Sequence, residues 1–448
     1  MNYKKSHYNV TVKTEEGARL FNARTGAIVE ISSMDPLFPD FEESWKHETF
    51  NIDDHEWFQP LKDGQFIIPE ELNEIPDYIE SFNTRQRTTD RTSLIVLPTE
   101  ECNFRCVYCY ENFLKPQMSE ETQDALKKYL TKTMEQVRGF SIEWFGGEPL
   151  LGMDVIRNIS TDAVRVAEEH NIPYTAAITT NGYLLTPEVF EEAVSDWKIF
   201  RYQITIDGPR EFHDHRRPLE EGGSTFDQII SNLRYVAKAD HPEVLYIVRM
   251  NVDSDNLKTV PEFARLIKDI VGDDKRARFY VRPTWGKSKF ELLTDFESRS
   301  LRKQIVDICA EVGLYLYDSD LVLNPALGMC YAADPHSLVI GPDGSVYKCT
   351  SAFDLPENLV GRLAVDGTMQ LDHERFDLWV ESSIEKYPQC RRCAVLPICN
   401  SAHCPKREVT RAKLKDGRSP HPVCPSYKDE VKLFVESALQ EESIKEFS

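Results

Sequence analysis

An α/β fold built on a parallel sheet is what this sequence predicts, and two observations lead to it. From residue 92 onward, short apolar runs alternate with longer stretches whose apolar residues recur at helical spacing. The runs are 94–97, 140–145, 174–179, 202–206, 244–252 and 278–281; the helical stretches are 119–138, 155–169, 188–197, 225–239, 257–271 and 296–312. In the first of these, Leu126, Leu130, Met134 and Val137 fall on one helical face. Six strand–helix units in succession imply a parallel sheet with helices outside it, and right-handed crossovers make it curl. Ligands of such a sheet gather at the C-terminal ends of its strands.

Residues 1–90 read as a first, separate unit. Tyr8-Asn9-Val10-Thr11-Val12 alternates like a strand, and 18–22 and 27–31 follow as strands across the turn-like Thr25-Gly26. A short helical stretch, a loop rich in Asp, Pro and Phe, and a weak helix over 70–83 complete it. Residues 91–315 hold the strand–helix units, and 316–448 hold most of the cysteines. A length of 448 residues agrees with two or three domains.

Composition excludes several classes. Apolar residues make up 41%, as in an ordinary packed protein, and no apolar run approaches the ~20 residues that span a bilayer. The first seven residues, Met1 to His7, lead into no apolar h-region, so neither a signal peptide nor a membrane is expected, and a cytoplasmic location is. Net charge is 53 − 74 = −21, which opposes general nucleic-acid binding, because that requires a basic face. The acidity would suit a partly basic peptide, although a solvated surface is the plainer reading.

Eleven cysteines are too sparse for a small disulfide scaffold in a chain of this length, and clustered cysteines in a cytosolic protein point to metal. Cys102, Cys106 and Cys109 lie at i, i+4 and i+7, directly after the first apolar run. Zinc sites usually pair cysteines at spacings of about two to four and supply four ligands. Three thiolates in one short loop better suit an iron–sulfur cubane with one iron left open, although a structural metal knuckle is the bland alternative.

The loop, with Tyr108 just before its third cysteine, resembles the CxxxCxxC loop of the radical S-adenosylmethionine (SAM) enzymes. That resemblance implies a partial (βα)6 barrel and a 4Fe–4S cluster on Cys102, Cys106 and Cys109. The open iron would hold the amino and carboxylate groups of SAM, and cleavage of SAM would yield a 5′-deoxyadenosyl radical. Later strand ends agree with it. Gly146-Gly147-Glu148-Pro149 is similar to the family's GGEP motif, with glycines that allow close backbone approach and a carboxylate to receive the SAM ammonium. Thr180-Asn181-Gly182 looks like its TNG turn. Thr205-Ile206-Asp207-Gly208 and His213-Asp214-His215-Arg216-Arg217 resemble its S-x-D-G and H-D-x-x-R pair, with threonine for serine. By that match Tyr108, Gly146, Gly147, Glu148, Asn181, Thr205 and Arg217 bind SAM, Thr205 at the ribose or carboxylate and Arg217 as a cation for the carboxylate. His213 and His215 read as loop or structural histidines, and Arg249 and Asn251 as pocket polars without a sharper role.

Cys330-x13-Gly344-x4-Cys349, then Cys390-x2-Cys393-x5-Cys399-x4-Cys404, then Cys424 resemble the SPASM extension of these enzymes. One spacing departs, with four residues before Cys404 instead of three. The segment 338–347 carries a hairpin signal with a Gly-Pro-Asp-Gly turn. The resemblance implies two auxiliary 4Fe–4S clusters, three clusters in all. One would sit on Cys390, Cys393, Cys399 and Cys424, the other on Cys330, Cys349 and Cys404. The latter is one ligand short, leaving an iron for Cys309 or for a substrate thiolate. Cys309 itself reads as a buried helix residue beside Ile305, Ile308 and Val312. A pair of zinc sites, with His403 as a possible ligand, is the competing reading.

A radical SAM enzyme with this extension usually acts on a peptide or protein. The expected activity is maturation of a ribosomally made precursor, joining a cysteine sulfur to a carbon as a thioether of the sactipeptide or ranthipeptide kind. Residues 1–90 resemble a leader-peptide recognition domain, with a structural cap on the barrel as the alternative. A ferredoxin or flavodoxin would supply electrons. The second expectation is an anaerobic sulfatase-maturating enzyme making formylglycine. Such enzymes typically carry a general-base Asp directly after an auxiliary-cluster cysteine, whereas Cys349 is followed by Thr350 and Ser351, with Asp354 further on. Carbon–carbon crosslinking, epimerisation and a non-catalytic metal-bound scaffold stay open.

Overall fold

The computed structural model describes residues 2–35, 38–47, 49–51, 58–88, 90–111, 113, 115–284, 289–325, 330–381, 387–399, 404–413 and 431–437. They fall into two units: one holds residues 1–88, 318–334 and 378–448, the other 89–317 and 335–377.

The first unit opens with β1 (Asn2–Lys5), β2 (Asn9–Thr14), β3 (Gly17–Asn22), β4 (Ile28–Ser32), α1 (Phe38–Ser44), β5 (Thr49–Asn51), α2 (Phe58–Asp63), β6 (Ile67–Pro69) and α3 (Glu74–Arg87). The meander β2–β3–β4 is antiparallel throughout, and the three strands foreseen at 8–12, 18–22 and 27–31 are its members. A second antiparallel sheet runs β5–β1–β6. Leu20, Phe58, Leu61, Phe66 and Ile67 form the apolar core between these elements. The buried Glu74 carboxylate is satisfied by the Ser6 hydroxyl (2.7 Å) and the His7 N–H (2.8 Å), tying α3 to the loop between β1 and β2.

The second unit follows as β7 (Arg91–Val96), α4 (Glu120–Met134), β8 (Gly139–Trp144), α5 (Met153–His170), β9 (Tyr174–Thr180), α6 (Pro187–Ser195), β10 (Ile199–Thr205), α7 (Arg210–Arg216), α8 (Phe226–Lys238), β11 (Leu245–Val252), α9 (Val260–Val271), β12 (Ala277–Pro283) and α10 (Asp295–Val312). All six expected strands are present and pair in parallel in the order β12–β11–β10–β9–β8–β7. Helix starts follow local chemistry. Ser119 caps α4 through its side chain, Thr186 with Pro187 opens α6, and Thr294 with Glu297 forms a reciprocal capping box on α10.

α11 (Tyr317–Val322) precedes a feature that strand–helix counting did not foresee. β13 (Ser337–Ile340) and β14 (Ser345–Tyr347) are the expected hairpin, and β13 pairs in parallel with β7. β15 (Leu359–Leu363) and β16 (Met369–Leu371) continue antiparallel, so one sheet of ten strands includes the barrel strands and the segment around Cys349. Such a pairing joins residues far apart in the chain and leaves no local signal. α12 (His373–Val380), α13 (Leu396–Cys399), α14 (Pro405–Lys413) and α15 (Val431–Ser437) finish the described chain. α15 packs against β2 and β3, and covers part of the closing helix expected over 427–447; the rest of that stretch lies outside the described residues.

Alternation makes the two faces of the parallel sheet chemically different. Tyr202, Ile204, Tyr246, Val248, Met250 and Val252 are buried on the face turned to the helices. The opposite face is polar: Ser141 donates to Ser93 (3.0 Å), Thr179 to Glu143 (3.3 Å), and Arg201 pairs with Glu143 (3.0 Å). On the apolar side Phe263 of α9 is fully buried with its ring 5.9 Å from that of Phe279 on β12. Truncating Phe263 to alanine should cost about 3–5 kcal/mol, read as a lower urea midpoint of the barrel transition.

Candidate active site

The chain leaves β7 and enters the cysteine loop, which is stitched along its length to the segment after α7. Arg105 N–H donates to the Pro218 carbonyl (3.0 Å), Val107 N–H to Arg216 (3.0 Å), and Glu220 N–H to Asn103 (2.8 Å), with Phe104 and Leu219 forming an isolated antiparallel bridge. The Arg105 guanidinium closes the loop by donating to the carbonyls of Cys102 (2.7 Å) and Phe104 (2.8 Å). Cys102, Cys106 and Cys109 are all partly buried. Burial and the Glu148 carboxylate push the Cys102 thiol up to about 12, and burial with the neighbouring Cys106 pushes Cys109 up to about 11. Cys106 adds to the upward push on both of the others. Two residues on, Glu111 keeps a buried oxygen without a partner among the described residues, and burial together with Glu100 pushes its carboxyl up to about 8.

The second and third strand ends meet this loop through backbone. A Cβ on Gly146, whose φ is +130°, would lie 2.2 Å from the Thr99 carbonyl oxygen. One on Gly147 would lie 2.3 Å from those of Glu100 and Glu101. Both positions must therefore lack a side chain for the cysteine loop to pass. Glu148 is fully buried, and its carboxylate accepts from the Thr180 hydroxyl (2.7 Å), the Asn181 N–H (2.7 Å) and the Leu150 N–H (3.0 Å). These donors brace the ends of β8 and β9, because a sealed carboxylate must be answered by nearby polar groups. Asn181 reaches the cysteine loop, donating to Asn103 Oδ1 (2.8 Å).

The fourth and fifth strand ends close the arrangement. The Tyr108 hydroxyl donates to Asp207 and accepts from Arg217 and from Asn251 (3.1 Å). Asp207 is fully buried and also accepts from the Asn251 N–H (2.9 Å). Arg216 is buried in a bidentate pair with Asp253 (2.7 and 3.0 Å). Arg217 is buried too, lies over the Phe104 ring (5.7 Å), and leaves its Nε without a partner. Thr205 is buried beside it on β10, and His213 accepts from the Asp207 N–H at Nδ1 (3.1 Å) and meets Thr225 Oγ1 at Nε2 (3.1 Å), a structural role. Asp253 and Asn256 were missed from sequence. Their signal is the polar run Asp253-Ser254-Asp255-Asn256 directly after an apolar strand.

Thus Tyr108, Gly146, Gly147, Asn181, Thr205, Arg217 and the three cysteines lie at one end of the parallel sheet. These residues fit a cluster and SAM on two grounds. Three thiols in one loop make a soft donor set, and a buried guanidinium with an unpartnered Nε is an anion site costly to leave unfilled. Among the described residues no set of three or more His, Cys, Asp or Glu side chains closes on a single metal ion. A cubane presents a separate iron to each thiolate, so that result bears only on mononuclear sites.

The remaining cysteines divide between the units. Cys349 is buried at the foot of the hairpin in the second unit. Asn358 accepts from the N–H groups of Lys348 (3.1 Å) and Cys349 (2.9 Å) and donates to the Cys349 carbonyl (2.8 Å). In the first unit Cys390 lies in a 3-10 turn with Cys393 directly after it, Cys399 ends α13, and Cys404 is exposed before α14. Cys330 is partly buried in the same unit. Cys309 is buried on α10. Cys424 and His403 lie outside the described residues.

Residues 96–267 match the model of the Radical SAM superfamily. The chain therefore carries a radical SAM domain, a family whose chemistry implies SAM and a 4Fe–4S cluster. Beyond that domain the chain is similar to several enzymes. A serine-type anaerobic sulfatase-maturating enzyme of Bacteroides thetaiotaomicron is 25% identical over 69% of this chain and 81% of that protein. The radical SAM cyclopropyl synthase TigE of Paramaledivibacter caminithermalis is 24% identical, over 88% of each. The solved structure of native anSMEcpe with bound AdoMet shares the fold with a TM-score of 0.58, at 20% identity, over 78% of this chain and 96% of that one. Among the described residues no helix is long and apolar enough to cross a membrane.

Two outcomes are expected. Gly147→Ala pushes the cysteine loop away and weakens SAM binding roughly tenfold, about 1.4 kcal/mol, by equilibrium dialysis on reconstituted protein. Burial, with Arg217 and Arg216 adding to it, holds the His213 imidazole well below its usual range. Below about pH 6.5 the unfolded chain then takes up a proton that the folded one refuses, so stability present above that pH is lost as pH falls. The urea midpoint of His213→Gln should fall less between pH 7 and about 5 than that of the parent.

Proposed function

We propose that this protein is a maturase that joins a cysteine sulfur of a ribosomally made peptide to a carbon of another residue. When bound, the cluster and SAM supply a radical able to remove a hydrogen atom from an unactivated carbon. The residues of this chain hold and shield that chemistry. Arg217 would take the SAM carboxylate at its Nε side, with Tyr108, itself held by Asn251, fixing the guanidinium. Asn181 and Thr205 would line the neighbouring strand ends. Cys102, Cys106 and Cys109 would ligate the first cluster, Cys390, Cys393, Cys399 and Cys424 a distal one, and Cys349 would serve a further one open to a substrate thiolate. Such an iron would hold the sulfur beside the carbon to be joined and replace a collision with a positioned attack.

The observation that carries the thioether reading is the surroundings of Cys349. Its sulfur lies 3.3 Å from the Ser351 hydroxyl, and Asp354, the nearest carboxylate in sequence, is exposed. No Asp follows that cysteine directly, where the sulfatase-maturating enzymes typically carry their general base. Formylglycine formation is the second reading, favoured by the likeness to the sulfatase-maturating enzymes. For the first unit, we read the meander as a leader-binding surface. β4 is an edge strand whose residues are mostly half-exposed, and an extended peptide can add to such an edge through main-chain hydrogen bonds. Electrons would come from a flavodoxin or ferredoxin.

The test is anaerobic reaction of the reconstituted enzyme with any short cysteine-containing peptide found encoded beside it, followed by mass spectrometry. Loss of two hydrogens per crosslink with thiols protected from alkylation is expected. Loss of two hydrogens with free thiols marks carbon–carbon chemistry, and a product trapped by hydrazine marks formylglycine. Replacing Cys102, Cys106 and Cys109 with alanine should abolish SAM cleavage; retained cleavage would sink the assignment.

A further inference from the structure

Thr205, Arg249 and Tyr280 are register partners on β10, β11 and β12, so they form one row across the polar face near the strand ends. Arg249 is partly exposed on a strand whose neighbours Val248 and Met250 are fully buried. Its Nε donates to Asn251 Oδ1 (3.0 Å), and Asn251 in turn holds Tyr108 and Asp207. Its guanidinium lies over the Tyr280 ring (5.7 Å), as does that of Arg282 (4.7 Å), whose Nε donates to the Tyr280 hydroxyl (2.7 Å). The side chain is thereby fixed at its inner edge and along one plane. Both of its terminal amino groups remain without a hydrogen-bond partner among the described residues.

Asp and Glu outnumber Lys and Arg by 74 to 53, and Arg201 on the same face pairs with Glu143. Arg216 pairs with Asp253. A guanidinium fork held rigid, stacked on an aromatic ring and left open matches a carboxylate. Two carboxylates could arrive here, that of the methionyl part of SAM or that of an acidic side chain. SAM carries one, and Arg217 is already a buried cation with an unpartnered Nε for it.

We propose that Arg249 binds the carboxylate of an Asp or Glu side chain of the peptide substrate, near the residue that loses hydrogen. This rests on the peptide-modifying reading above. Arg249 would then set which segment of the peptide lies at the strand ends, without itself touching the reacting atoms.

The test is protection of Arg249 from phenylglyoxal in full-length, cluster-reconstituted enzyme, read on its tryptic peptides by mass spectrometry. Four probes are compared: the peptide Ac-Ala-Glu-Ala-Cys-Ala-NH2, its Gln counterpart, glutarate, and SAM. Modification of Arg249 slowed about tenfold by the Glu peptide, with the Gln peptide and SAM without effect, is the expected result. Equal protection by the Glu and Gln peptides overturns the carboxylate assignment while leaving a peptide substrate standing. Protection by glutarate but by neither peptide overturns the peptide part. Protection by SAM assigns the fork to the cofactor and overturns the proposal. An Arg249 that does not react in the unliganded enzyme overturns it as well.

Discussion

Asp207 is the charge on which the site end of the parallel sheet depends. A carboxylate wholly removed from water costs several kcal/mol unless donors answer it. Hydrogen bonds from the Tyr108 hydroxyl of the cysteine loop and the Asn251 N–H of β11 answer it here, and the Arg216 guanidinium at the end of α7 adds its charge from 3.8 Å. Asn256 adds a hydrogen bond to the Asp207 carbonyl (3.1 Å). Satisfying one buried acid therefore fixes the loop after β7 against the ends of β10 and β11. The thiols are positioned as a consequence, because Tyr108 lies immediately before Cys109 in the chain.

Glu148 performs the same service on the other side. Its three donors come from β9, from the turn after it, and from the 3-10 turn that follows Glu148 itself. Two buried carboxylates thus tie four strand ends and the cysteine loop into one rigid rim. The cations are distributed unequally around it. Arg216 is neutralised by Asp253, whereas Arg217 and Arg249 present guanidinium groups without a bonded carboxylate among the described residues. In a chain of net charge −21, positive charge left unspent at a strand-end rim is a local preparation for anionic groups.

The second cysteine set uses a different device. Asn358 makes three hydrogen bonds to the backbone of Lys348 and Cys349, so the thiol at the foot of the hairpin is fixed by an amide rather than by a charge. Cys349 belongs to the barrel sheet through β13 and β14, while Cys330 and the Cys390–Cys404 group belong to the other unit.

Local pattern by itself determined much of this protein. Six apolar runs of strand length separated by amphipathic stretches dictated the parallel sheet, because burial on one face writes its period into the chain. The meander at the start was legible for the same reason, and the three cysteines of the first loop because their spacing is short. What only the tertiary structure decided were pairings between distant residues. β13 adding to β7 and Asp253 opposite Arg216 leave no local period. The bracing by Glu148 is hidden for a related reason: its sequence specifies a carboxylate after two glycines, but only the fold brings Thr180 and Asn181 to its oxygens. Arg249 is the clearest case. An arginine on a strand is unremarkable until its neighbours are known, and its meaning lies in which acids the fold withholds from it.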